Sequence, residues 1–160
     1  MRVLNIIQDS IVDGPGLRST VFFAGCPHRC KGCHNPNSWN RRGGTEMEAA
    51  DIFNILMANP FNDVTFSGGE PFYQNHHELL TLASELKRNG KNIWCYTGYK
   101  WEQLISCASS KAVCEYLDVI IDGPFIMEKR DLNLQFMGSS NQRLIAVSLS
   151  LAAQEPILFE

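Results

Sequence analysis

Three cysteines stand close together at Cys26, Cys30 and Cys33, with three residues between the first pair and two between the second. Thiolates at this spacing on one loop can converge on a cubic iron–sulfur cluster, holding three irons and leaving the fourth open to a substrate. A structural zinc site instead takes four protein ligands, typically from paired Cys-x-x-Cys elements. Spacing alone leaves zinc as an alternative, completed by His28, His34 or a distant cysteine. Cys95, Cys107 and Cys114 read as small apolar residues rather than further ligands. Six cysteines could form three disulfides, but clustering in a chain that is not short and secreted points to metal.

A second group with chemical potential is Ser67-Gly68-Gly69-Glu70-Pro71. Residues without side chains let a ligand approach the backbone closely. Exposed carbonyls and the Glu70 carboxylate can accept hydrogen bonds from an ammonium group. Taken alone this is an ordinary tight turn; beside an open-site cluster it becomes a docking edge for an amino acid. Asp13-Gly14-Pro15-Gly16 reads as a turn, with Arg18 behind it able to pair with Asp13 or with a partner's carboxylate. Gly138-Ser139-Ser140-Asn141-Gln142 reads as a polar connection, and His76 and His77 as a solvated helix start. The cations Arg29, Lys31, Arg41 and Arg42 read as a solvated basic loop, or as a docking site for an acidic donor.

These groups need elements to hold them. Val3 to Ile7, Thr20 to Ala24, Asp63 to Ser67, Asn92 to Tyr96, Leu117 to Ile121 and Leu144 to Leu149 read as strands. Thr45 with Glu48 forms a capping box ahead of a helix whose Ile52, Ile55 and Leu56 share a face. Asn75 to Arg88 is a second helix, with Leu79, Leu82, Ala83 and Leu86 at helical spacing and Gly90 as its stop. Trp101, Leu104, Ile105 and Ala108 mark a third helix face. Alternating strands and helices imply βαβ units around a mostly parallel sheet. A complete eight-stranded barrel takes roughly 200 residues or more, so 160 residues predict an α/β partial, open (βα) barrel of about five or six units. The cysteine loop, the glycine pair, Thr97-Gly98-Tyr99 and Asp122-Gly123-Pro124 all follow strand ends. They therefore share the rim where ligands bind in such folds.

Composition bounds the remainder. With 44% apolar and 19% charged residues the chain is ordinary for a soluble domain. A net charge of −3 argues against nucleic acid as the main partner. No apolar run is long enough to span a bilayer, and Met1 to Gln8 lacks a signal peptide's character, so the expected location is cytoplasmic and off the membrane. There is no repeat or linker, which predicts one domain over 1–160.

The Cys26, Cys30, Cys33 triplet followed by Ser67 to Pro71 resembles the radical S-adenosylmethionine superfamily. Asp13 to Gly16 narrows the resemblance to the glycyl-radical-enzyme activases. Cys33-His34-Asn35 with Trp39, Ile93-Trp94 through Thr97-Gly98-Tyr99, and Gly138 to Gln142 narrow it to the branch acting on anaerobic ribonucleoside-triphosphate reductase. The likeness runs from about Ile11 to Arg143. It implies a 4Fe–4S cluster on Cys26, Cys30 and Cys33, with S-adenosyl-L-methionine at the open iron. It also implies that Gly68, Gly69 and Glu70 hold the amino group, that Ser67 belongs to the same cofactor-binding edge, and that the backbone around Gly32 and His34 packs against the adenine. Many members carry an aromatic residue where this chain has Gly32, so His34 is expected to serve instead. No catalytic side chain beyond the cluster ligands is implied. The implied partners are the large reductase subunit, whose glycine Cα would lose a hydrogen atom, and a flavodoxin-like electron donor. The runners-up are an activase of another glycyl radical enzyme such as pyruvate formate-lyase, a deazaguanine synthase, and a non-catalytic zinc or iron–sulfur protein.

Overall fold

Seven strands form one sheet in the order β3-β1-β2-β4-β5-β6-β7, in a computed structural model that describes residues 1–160. The strands are β1 (Arg2–Ser10), β2 (Arg18–Phe23), β3 (Thr45–Glu46), β4 (Asp63–Gly68), β5 (Ile93–Tyr96), β6 (Val119–Asp122) and β7 (Arg143–Ala146). The helices are α1 (Ala49–Leu56), α2 (His76–Arg88), α3 (Trp101–Ser106), α4 (Ala108–Cys114) and α5 (Val147–Ala153). The centre, β2-β4-β5-β6, is parallel, while β1, β3 and β7 pair antiparallel at the flanks. Ile11 to Leu17 is too short for a crossover, so β1 must return beside β2 antiparallel. The result is an open mixed α/β sheet with three crossovers between parallel strands, fewer than the five or six units expected. The first hairpin and the antiparallel β7 account for the difference.

Residue alternation sorts the two faces of the sheet. Val21, Phe23, Val64, Phe66, Ile93, Cys95 and Ile120 point to one side and join Ile52, Leu56, Leu79, Leu82, Leu86 and Leu104 in the main core. Each such fully buried aliphatic side chain contributes about 1.5–3 kcal/mol. The opposite side carries only a small apolar cluster around Trp94, Val119 and Ile121. The helices therefore coat one face, and the other is left for a site.

Several sequence expectations shift here. α2 begins as predicted, because the Asn75 side chain accepts from the backbone N–H groups of His77 and Glu78. The Thr45–Glu48 capping box does not form, since Thr45 is consumed by the edge pairing of β3 with β1 and α1 starts at Ala49. On that helix Ile52 and Leu56 are buried but Ile55 is exposed. The predicted helix through Ala108 breaks at Cys107, whose extended backbone separates α3 from α4. The predicted strand Leu144 to Leu149 stops at Ala146, and Val147 onward is helical. No helix is long and apolar enough to cross a membrane.

Candidate metal and cofactor site

The cysteine loop leaves the C-terminal end of β2. Gly25 N–H donates to Ser38 O at 2.7 Å and Cys26 N–H to Trp39 O at 3.4 Å, which folds the loop back over a short 3-10 turn, Pro36–Trp39. Cys26, Cys30 and Cys33 are free and half-buried, and all three line one cavity of about 440 Å³. That volume suits a small-molecule site, for which about 300–1,000 Å³ is usual. Burial pushes the Cys26 thiol up, and the backbone N–H groups of His28 and Arg29, aimed at its sulfur, oppose this. The Asn35 N–H donates to Cys33 Sγ at 3.3 Å. Hydrogen bonds to sulfur favour a thiolate, the form that binds metal.

Ser67, Gly68 and Gly69 line the same cavity. The glycine pair has a structural origin as well, since the end of β4 lies against the backbone following β2. A Cβ on Gly68 would stand 2.7 Å from Phe22 Cα, and one on Gly69 would stand 3.0 Å from Ser38 O. Glu70 is placed differently from the expectation of a ligand acceptor. It is fully buried and does not line the cavity. Its Oε1 accepts from Thr97 Oγ1 at 2.8 Å and Phe72 N–H at 3.1 Å. Its Oε2 accepts from Gly98 N–H and His28 Nε2, both at 2.8 Å. Four donors occupy the lone pairs of one carboxylate, so the side chain has no vacancy for an ammonium group.

His34 lines the cavity as expected, but Gly32 does not. Gly32 has a positive φ of 76°, and a Cβ there would meet Met127 Sδ at 2.6 Å and the Phe125 ring at 3.4 Å. Phe125, in the loop after β6, stands where a side chain on Gly32 would reach, and it lines the cavity together with His34. The Phe125 ring centroid is 5.2 Å from that of His34. Gly138 to Gln142 is more than a connection, because it staples this loop. Asn141 Nδ2 donates to Pro124 O at 2.8 Å, Gln142 Nε2 to Gly123 O at 3.0 Å, and Ile126 N–H to Ser139 Oγ at 3.2 Å. Tyr96, Phe136 and Met137 also reach the cavity. Their reach depends on how distant loops fold over the open sheet face, and no local pattern marked them.

Arg18 pairs with neither Asp13 nor an exposed partner. It is fully buried, and burial holds its pKa below the ordinary value. Its five hydrogen bonds run to Thr65 Oγ1, Pro15 O, Val64 O, Asn92 O and Asn92 Oδ1. It thereby ties the turn carrying Asp13, itself a cavity residue, onto β4 and β5. Cys95 and Cys114 are buried as expected, and burial pushes the Cys114 thiol up to about 12. Cys107 departs from that reading. It is exposed between α3 and α4, and hydrogen bonds from Ser109 and Ser110 bring its thiol down to about 6.

The donor set fits a cluster. No three Cys, His, Asp or Glu side chains converge tightly enough to share one ion. A cubane does not ask them to, because each thiolate holds a different iron. Cys95 is sealed in the core behind β5, so the cavity presents three thiols and no fourth.

The sequence family described as a 4Fe–4S single cluster domain matches residues 12–145. Fold and site thus define a single-cluster iron–sulfur protein. Relatives named anaerobic ribonucleoside-triphosphate reductase-activating protein align along most of the chain. The Haemophilus influenzae protein is 36% identical over 152 residues, 89% of this chain and 96% of its own. The Escherichia coli K12 protein is 37% identical over 142 residues, 82% and 90% respectively. The Enterobacteria phage T4 protein is 37% identical over 139 residues, 83% and 86%. The chain belongs to the family of anaerobic ribonucleoside-triphosphate reductase-activating proteins.

Proposed function

We propose that the chain is a radical S-adenosylmethionine activase that installs a glycyl radical on the large subunit of anaerobic ribonucleoside-triphosphate reductase. The observation that carries this is the shared cavity: three half-buried thiols face the Ser67–Gly69 edge, with no fourth cysteine in reach. Cys26, Cys30 and Cys33 hold the 4Fe–4S cluster. When bound and reduced by an outside donor such as a flavodoxin, the cluster supplies the electron that splits S-adenosylmethionine into methionine and a 5′-deoxyadenosyl radical, which takes one hydrogen atom from a glycine Cα.

The protein's own task is to place and enclose. The backbone and free hydroxyl at Ser67 to Gly69 hold the amino acid end of S-adenosylmethionine. His34 and the backbone at Gly32, backed by Phe125, receive the adenine. The apolar ring of Phe136 and the side chain of Met137 exclude water beside Tyr96. Residues 1–160 act as one radical S-adenosylmethionine domain, its sheet curved as a partial barrel whose helix-free side is the interior. Cytoplasmic placement away from membrane and nucleic acid accords with the charge of −3.

Anaerobic reconstitution tests the reading. The expected product is brown, holds about four irons per chain, and on reduction converts S-adenosylmethionine to 5′-deoxyadenosine and methionine. With the large reductase subunit added, electron paramagnetic resonance shows a glycyl radical. A colourless protein with one zinc and no cleavage overturns the proposal. Cleavage with a radical on another glycyl enzyme, and none on the reductase, overturns the choice of target.

A further inference from the structure

We propose that Glu70 works on the cysteine loop rather than on a ligand: through His28 it clamps the middle of the loop and so sets where the thiols stand. This rests on the cluster reading above. Residues 27–34 make only one hydrogen bond that leaves their own loop, from His28 Nε2 to Glu70 Oε2 at 2.8 Å. Their other hydrogen bonds, Cys33 N–H to Cys30 O, Asn35 N–H to Cys33 Sγ and the His28 and Arg29 N–H groups to Cys26 Sγ, are local. His28 sits between Cys26 and Cys30, so one contact governs both flanking thiols.

The receiving end is rigid. Glu70 begins a 3-10 turn, Pro71–Tyr73, on the end of β4, and its carboxylate is fixed by Thr97 Oγ1 and by the backbone of Phe72 and Gly98. The first three donors come from two parallel-strand ends, and the fourth comes from the loop. A carboxylate only accepts, so Nε2 of His28 carries the hydrogen. Packing agrees with this placement. The His28 ring lies 4.5 Å from the Tyr99 ring, edge to face. Residue 98 is glycine because a Cβ would overlap the His28 ring, at 2.7 Å from its Cγ. Glu70 is thus a positioning residue, and His28 is its arm.

The test reads loop release separately from turnover. Arg29 and Lys31 are exposed trypsin sites inside the clamped stretch, while Arg41 and Arg42 lie outside it and serve as internal controls. His28→Phe keeps a ring against Tyr99 but removes the donor; His28→Gln restores a donor. In cluster-free protein, cleavage after Arg29 and Lys31 should rise roughly 10- to 100-fold in His28→Phe, the span for losing a hydrogen bond to a charged group. Cleavage at Arg41 and Arg42 should stay put, and the melting temperature should fall by only about 3–11 °C, the same lost contact read globally. Reconstituted His28→Phe should lose iron to a chelator faster by a similar factor, with an altered electron paramagnetic resonance signal of the reduced cluster. His28→Gln should return all three readouts close to wild type. Wild-type behaviour in His28→Phe overturns the clamp, and so does a defect that Gln leaves uncorrected. Failure of the wild-type protein to take up iron overturns the cluster reading instead, and the trypsin result still judges the clamp.

Discussion

Replacing Arg18 with Met should destabilise the protein by about 2 kcal/mol without touching the cavity wall directly. Met keeps much of the aliphatic packing over Trp94, whose ring centroid lies 5.4 Å from the Arg18 guanidinium carbon. What disappears is the donor set. Thr65 Oγ1 still has a partner, because it donates to Asp13 O at 2.8 Å. Asn92 O likewise keeps the Val64 N–H at 3.0 Å. Pro15 O and Asn92 Oδ1 lose the donor they share in Arg18. A buried acceptor left unpaired costs about 1–3 kcal/mol, giving a gross penalty of about 2–6 kcal/mol for these two. Against this stands relief of burying a guanidinium whose partners are all uncharged, a desolvation cost of several kcal/mol. A net loss of about 2 kcal/mol follows. For a domain of this size it lowers the melting temperature by about 4–8 °C. Thermal and urea unfolding of the cluster-free protein, followed by circular dichroism, measures it. A loss under about 1 kcal/mol would mean that water or relaxation replaces the donors, and the buried-cation account would then be wrong.

Other outcomes follow from the same geometry. Phe125→Ala in cluster-loaded protein should weaken binding of 5′-methylthioadenosine by roughly tenfold, the scale of one base stacked on an aromatic ring, while iron content stays unchanged; equilibrium dialysis decides. Cys107 should be alkylated by iodoacetamide with a half-maximal rate near pH 6, because hydrogen bonds from Ser109 and Ser110 favour its thiolate above about pH 6. Buried Cys95 and Cys114 should remain unmodified in the folded protein at the same pH. Peptide mapping by mass spectrometry separates the three.

Much of this was legible in the chain. The cysteine triplet, the glycine pair and α2 with its Asn75 cap each carry their cause within a few residues. The order of strands and helices likewise announced an α/β sheet. What escaped depended on distance. Nothing near Thr45 signals that Val3 pairs with it, so its capping box looked sound. Glu70 reads as an accessible carboxylate until Thr97, Gly98 and His28 are brought round it from later and earlier segments. Phe125 is separated by most of the chain from Gly32, whose missing side chain makes room for it. Cys107 looked like a small apolar helix residue because the break between α3 and α4 has no proline or glycine to mark it.

The contact between Gly68-Gly69 and the backbone after β2 bears on how such chains diverge. The pair is demanded by two main chains lying against each other, whatever the cavity contains. A descendant that abandoned its iron would be free to lose Cys26, Cys30 and Cys33 one by one. It would not be free to lose the glycines without reshaping its sheet. In sequence surveys the glycine pair alone should therefore be scored as ancestry, and the cysteines as the sign that the chemistry is still practised.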